Sequence, residues 1–212
     1  MLMLDGGIGI ELPYWAPNGS LVSDATNEPK SSGLPDLLAV DVTVAVFLRN
    51  RDWYIETDYL AHSLHVVAGE VGIRMMGRHN RISNSRIEVT DSKSAIYLFG
   101  PDNVIENNII VFKGRGATPS AAPIKLHHGD RTIIRNNVII IEGVDEDVRQ
   151  AVSLIESRDV VLEGNRVYGA GPVVQAYGEG SSWQMGALIA DDLSHAPQLP
   201  ETVRAASDLG LK

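Results

Sequence analysis

Four side chains of the 212-residue chain could do chemistry together: Arg74, Tyr97, Lys125 and His127. Each lies in a short apolar stretch that runs into a Gly or Ser. Arg74 and Tyr97 stand three residues before Gly77 and Gly100, while Lys125 and Ser153 stand four residues before Gly129 and Ser157. If these stretches are strands stacked in register, Arg74, Tyr97, Lys125 and Ser153 fall on one solvent-facing line. Lys125 and His127 then point outward and Ile124 and Leu126 inward. A slip of one residue would exchange the two faces. Two cations, a phenol and an imidazole on one surface suit an acidic sugar. Lys or Arg neutralises a uronate carboxylate, a base removes the C5 proton, and Tyr or His protonates the leaving oxygen. That is β-elimination. The competing reading is an ordinary solvated face, since fold alone never gives function.

Other constellations carry less. In His127-His128-Gly129-Asp130, adjacent strand residues point to opposite faces, so the two imidazoles cannot share an ion unless a bulge intervenes. His127 is expected at the surface and His128 packed or hydrogen-bonded at a turn. Glycoside hydrolysis needs two carboxyls about 5–5.5 Å or 6.5–9.5 Å apart. Glu56, Glu106 and Glu163 recur at one repeat position, but Ser83 and Arg135 intervene, a pattern that avoids stacking like charges. Calcium is the cofactor to consider, because acidic groups on neighbouring rungs could share it with a uronate. The acidic run Asp145-Glu146-Asp147 reads first as a solvated loop. His62-Ser-Leu-His65 has metal-ligand spacing only on a helix, and Lys113-Gly-Arg-Gly116 is an anion nest or a loop tip. No phosphate-loop, zincin or nucleophile-elbow motif is present.

The elements that must position these residues come from an internal repeat. Eleven-residue blocks begin at Asn50, Gly77, Gly100, Gly129 and Ser157. Their sixth place is Ile55, Ile82, Ile105, Ile134 or Leu162, and their eleventh is Leu60, Ile87, Ile110, Ile139 or Val167. The ninth is Asp58, Ser85, Asn108, Asn137 or Asn165. Apolar stretches precede the blocks at Val42–Leu48, Val71–Met76, Ala95–Phe99, Pro123–His127 and Ala151–Ile155, and Pro172–Tyr177 opens one more turn. The lengths vary in the polar loops between, which confines insertions to one side of a stack. Such a chain reads as a coil of short strands, each pairing with its equivalent one rung away at about 4.8 Å. Asn at a fixed turn place tolerates left-handed backbone and can hydrogen-bond along a ladder.

These blocks, best seen at 77–87 and 100–110, resemble the right-handed parallel β-helix proteins of the pectate-lyase-like superfamily. The resemblance covers residues 40–180 and implies an all-β, single-stranded solenoid. It further implies a carbohydrate-active protein, with a polysaccharide lyase as the enzymatic form. A non-catalytic β-helix, such as a phage tailspike or virion segment, an adhesin or a glycan-binding stalk, is the alternative. The run around His127 loosely resembles the His-Gly segment of β-helix lyases that act on alginate and dermatan-type chains, with His127 where an Arg is expected. An antiparallel sandwich would explain short strands but not Asn at one offset.

Composition agrees with this frame. Lys and Arg number 18 against 27 Asp and Glu, a net charge of −9, which argues against a nucleic-acid backbone as partner. There are no cysteines, so neither disulfides nor thiolate sites exist. No apolar run is long enough to cross a membrane as a helix. Residues 41–186 are expected to form the repeats. Residues 1–40 should form an irregular cap or partial coil, and residues 187–212 a partly helical cap or tail. Solenoid ends need shielding, so the caps are candidate surfaces for homo-oligomer contacts. No secretory signal is visible; fold analogy favours an extracellular or virion-associated location.

Overall fold

The structure, a computed structural model, describes residues 2–12, 34–35, 38–48, 60–90, 94–113, 119–142 and 150–200. The chain is a parallel β-helix. Its strands begin with β1 (Leu2–Leu12), β2 (Leu34–Pro35), β3 (Leu38–Leu48), β4 (Leu60–His62) and β5 (His65–Met76). The next coils hold β6 (Arg81–Ser83), β7 (Arg86–Val89) and β8 (Ser94–Phe99), then β9 (Val104–Glu106), β10 (Ile109–Phe112) and β11 (Ile124–His127). They are followed by β12 (Ile133–Arg135), β13 (Val138–Ile141) and β14 (Val152–Ile155), then β15 (Val160–Glu163), β16 (Asn165–Tyr168) and β17 (Val174–Tyr177). The last are β18 (Trp183–Met185) and β19 (Leu188–Asp191), and a single 3-10 turn, Leu193–His195, follows.

Every pairing among the described strands is parallel and joins one coil to the next, so the strands stack into three faces. The first face runs from the second half of β5 through β8, β11, β14 and β17. The second runs through β2, β4, β6, β9, β12, β15 and β18. The third runs from the first half of β5 through β7, β10, β13, β16 and β19. Alternation along each strand fills the interior with aliphatic columns. On the first face Ile73, Ile96, Ile124 and Val152 are in register, beside Met75, Leu98, Leu126 and Leu154. On the second Ala61, Ile82, Ile105, Ile134 and Leu162 stack, and on the third Val66, Ile87, Ile110, Ile139 and Val167. All of these side chains are buried.

The first sequence block is displaced. Ala61, not Ile55, pairs with Ile82, and Val66, not Leu60, pairs with Ile87, so the block starts six residues later (61 − 55 = 66 − 60 = 6). Ala61 is too small to mark the column in sequence, whereas Ile55 and Leu60 offered the expected type. Ile55, Glu56 and Asp58 lie outside the described residues.

The ninth place forms the ladder. Asn108 Nδ2 donates to Asn137 Oδ1 and Asn137 Nδ2 to Asn165 Oδ1, each at 3.0 Å. Each amide also donates to a backbone carbonyl one coil back: Asn108 to Ile82, Asn137 to Ile105, Asn165 to Ile134. The left-handed residue is the one before it. Ser63, Asn84, Asn107, Asn136 and Gly164 have φ between 50° and 65°. Turn geometry and ladder are thus divided between neighbours, where the sequence reading gave both to one Asn. A second left-handed position recurs at the third place, in His79, Asp102, Arg131 and Asp159.

At the ends, β1 pairs along β3 from Leu2↔Leu38 to Leu12↔Leu48, within the stretch expected to form an irregular cap or partial coil. At the other end β19 carries the coil to Asp191. The tail then returns over the outside of the third face. Leu193 and residues 196–200 line a groove with Val111 and Ile140, and Arg86 Nη1 donates to the Pro200 carbonyl at 2.8 Å. Among the described residues no helix is long and apolar enough to cross a membrane.

Candidate functional site

The first face carries two outward columns. In one, Arg74, Tyr97, Lys125, Ser153 and Gln175 are in register on successive coils. In the other, two residues further along each strand, stand Met76, Phe99, His127, Ile155 and Tyr177. Ile124 and Leu126 are fully buried, which turns Lys125 and His127 outward on the same strand. Arg74, Tyr97, Lys125 and His127 therefore share one surface, and all four are half-buried.

Tyr97 is the centre of the group. The Arg74 guanidinium lies 5.4 Å from its ring centroid on one side, and Lys125 Nζ lies 5.0 Å from it on the other. Both distances allow a cation–π attraction. Phe99 packs on Tyr97 at 4.4 Å, His127 on Phe99 at 5.0 Å, and His128 stacks on His127 at 4.5 Å with ring planes 21° apart. The result is a continuous aromatic strip beside two cations. Lys125 is further fixed by donating to Ser120 Oγ at 2.7 Å. The segment holding Ser120 is itself pinned, since Gln150 Nε2 donates to the Pro119 and Ala121 carbonyls and the Tyr177 hydroxyl donates to Pro119.

Burial sets the protonation of the group. It lowers the Lys125 pKa, helped by the nearby Arg74 charge. It raises the Tyr97 pKa, against the pull of Arg74, so the phenol keeps its proton at neutral pH. It lowers the His127 pKa, with His128 and Lys125 acting in the same direction and Glu156 opposing, so this imidazole is neutral at pH 7. A neutral imidazole can accept a proton and a protonated phenol can give one. His127 Nδ1 is buried and makes no hydrogen bond.

Two expectations are corrected. Ser153 is in the column but not at the surface; it is fully buried, a short side chain between Lys125 and Gln175 on the adjoining coils. His128 does not turn to the opposite face from His127. Its backbone is left-handed, φ 51°, which ends the strand and brings both imidazoles out on one side.

Among the described residues, the remaining candidates do not assemble a second centre. The seventh-place column reads Ser83, Glu106, Arg135, Glu163, and Glu106 is held by Arg81 and by Arg135, the latter at 2.7 Å. A carboxylate clamped by two guanidiniums is a structural ion pair rather than half of a hydrolytic dyad. His62 and His65 lie on different strands, β4 and β5. Lys113 pairs with Glu142 at 3.3 Å. Asp145, Glu146 and Asp147, the acidic run considered for calcium, lie outside the described residues. Sequence reasoning missed Phe99, Ser120 and Glu156. Phe99 was readable, since it follows Tyr97 by two on the same strand; Ser120 and Glu156 reach the group through loop and corner geometry that spacing does not encode.

Fold and site together define a parallel β-helix protein with a cationic, aromatic-lined face. No protein-family model, curated protein or solved structure matches the chain.

Proposed function

We propose that this protein belongs among the pectate-lyase-like β-helices and acts on an acidic, uronic-acid polysaccharide through the face built by Arg74, Tyr97, Lys125 and His127. The observation that carries the reading is the placing of Tyr97 between two cations, on the face that His127 shares. Sugar rings stack on aromatic faces through their C–H edges, and the strip from Tyr97 to His127 offers such a platform. Arg74 and Lys125 supply the positive charge that an acidic chain of net −9 must gather locally to hold a uronate.

As a lyase, the sequence of events is β-elimination. Lys125 and Arg74 neutralise the carboxylate, which makes the C5 proton more acidic. His127 takes that proton, the electron pair forms the C4–C5 double bond, and the glycosidic oxygen on C4 leaves with a proton from Tyr97. Solvent then restores the proton to Tyr97 and removes it from His127.

A second reading is binding without cleavage, in a stalk or tailspike-like module. It is favoured by the engagement of Lys125 with Ser120, which holds the cation in a fixed structural role. One experiment separates the two. The protein is incubated with pectate, alginate and glycosaminoglycan chains while the ultraviolet absorbance of the unsaturated uronate product is followed. Product that disappears in His127→Ala and Tyr97→Phe supports the lyase. Binding of a uronate polymer without product supports the module. Neither product nor binding on any acidic chain defeats both.

A further inference from the structure

Five successive coils of the first face end at one corner, and the residue at that corner always has positive φ. It is Gly77, Gly100, His128, Glu156 and Gly178 in turn. Glycine is the residue that takes this backbone without strain. His128 at φ 51° and Glu156 at φ 46° occupy the column in place of glycine on neighbouring coils, joined by a hydrogen bond from His128 N to the Ile155 carbonyl. Two side chains are thereby raised at a ridge that is otherwise bare, and both stand next to His127. One ligand atom each from His127, His128 and Glu156 lies within 4.8 Å of the others. His128 Nδ1 is 3.6 Å from the Glu156 carboxylate.

We propose that His127, His128 and Glu156 form a binding site for a borderline divalent transition-metal ion such as Zn2+. Two imidazoles and one carboxylate are a ligand set that suits Zn2+ and its neighbours and does not suit calcium, which needs six or more oxygens. Around a tetrahedral ion with bonds of about 2.0–2.1 Å, ligand atoms sit roughly 3.3 Å apart. Closing from the present separation takes small side-chain rotations, and Glu156, more than half exposed, is free to make them. His127 Nδ1, buried and without a hydrogen bond, has a lone pair to give in its neutral form. Beside the three ligands opens a concavity of about 470 Å³ lined by His128, Asp130, Glu156, Arg158 and Glu179. Three carboxylates against one guanidinium make it cation-attracting, and its volume leaves the fourth metal position open to water or a ligand.

The metal site is tested separately from the glycan reading, because ion binding is measured with no sugar present. They meet at His127: an ion that takes its lone pair removes the base that elimination needs.

The test is a titration of chelator-treated protein with Co2+, followed by visible ligand-field bands, and calorimetry with Zn2+. The expected result is one ion per chain, with Zn2+ displacing Co2+ and calcium displacing neither. His128→Asn, which keeps a residue tolerant of left-handed backbone, and Glu156→Gln should each weaken binding roughly tenfold or more. Both variants should keep the wild-type β circular dichroism. Absence of stoichiometric binding overturns the proposal. So does unchanged affinity in either folded variant, or displacement of the ion by calcium at equal concentration.

Discussion

Lys125 and Tyr97 occupy the same outward column on adjacent coils, with the ammonium 5.0 Å from the ring centroid and its remaining reach spent on Ser120. The lysine is thus aimed rather than free, and its charge is focused over an aromatic face. Lys125→Ala should lower the affinity for a uronate polymer roughly tenfold, the worth of one charge-assisted hydrogen bond. It should also flatten the salt dependence of binding, since part of the attraction is screened by ions. Calorimetric titration at two ionic strengths checks both. An unchanged affinity would remove Lys125 from the site.

Asn137 is the most heavily committed amide of the ladder. It donates to Asn165 Oδ1 and to the Ile105 carbonyl, and its own Oδ1 accepts from the backbone and side chain of Asn108. Asn137→Ala leaves several buried polar groups without partners, each costing about 1–3 kcal/mol. The net loss in unfolding free energy should be at least about 3 kcal/mol, read from urea denaturation. Asn136→Ala next to it, exposed at the turn, should cost less than half of that.

Glu106 is buried, which alone would raise its pKa, but the hydrogen bonds and charges of Arg135 and Arg81 outweigh this and hold it below the ordinary carboxylate value. Asp102 is likewise held low, chiefly by its hydrogen bonds to Arg131. For groups depressed in the folded state, the stabilisation is present above the unfolded pKa and is lost as pH falls through the folded one. Stability should therefore decline below about pH 4, and the decline should be shallower in Glu106→Gln. Thermal melting between neutral and acid pH measures it; equal slopes would show that Glu106 is not coupled to folding.

Ser153 Oγ is buried and makes no hydrogen bond. Removing an unsatisfied hydroxyl is one of the few buried truncations that need not destabilise. Ser153→Ala should leave the melting temperature unchanged or raise it, and should leave glycan binding intact. A clear loss of stability would mean that the hydroxyl has a partner when the protein is in water.

The β-helix was readable from sequence because its signals repeat. Ile82, Ile105 and Ile134 are one column, and Asn108, Asn137 and Asn165 one ladder, and three copies of a pattern overrule the noise in each. Where the residue type fails, so does the reading. Ala61 and Leu64 hold the places of Ile and Asn in the first coil, so the residue types there point to a block six residues before the real one. The outward column of Arg74, Tyr97 and Lys125 was also legible, because period-two alternation decides facing once one inward residue is known. The burial of Ser153 and the turn of His128 were not. The first depends on the lengths of neighbouring side chains, the second on a backbone angle that histidine seldom adopts.

The corner between the third and first faces differs from the other two. Two residues, 84–85, link β6 to β7, and four, 100–103, link β8 to β9, whereas eleven separate Phe112 from Ile124 and ten separate Ile141 from Val152. Length varies where the chain enters the first face, immediately upstream of Lys125 and Ser153. Foreign peptides inserted between Phe112 and Ile124 or between Ile141 and Val152 would lengthen these connections while every column and ladder keeps its register. The coil thus separates two tasks, since its connectors can change in length and composition while its interior is inherited unchanged.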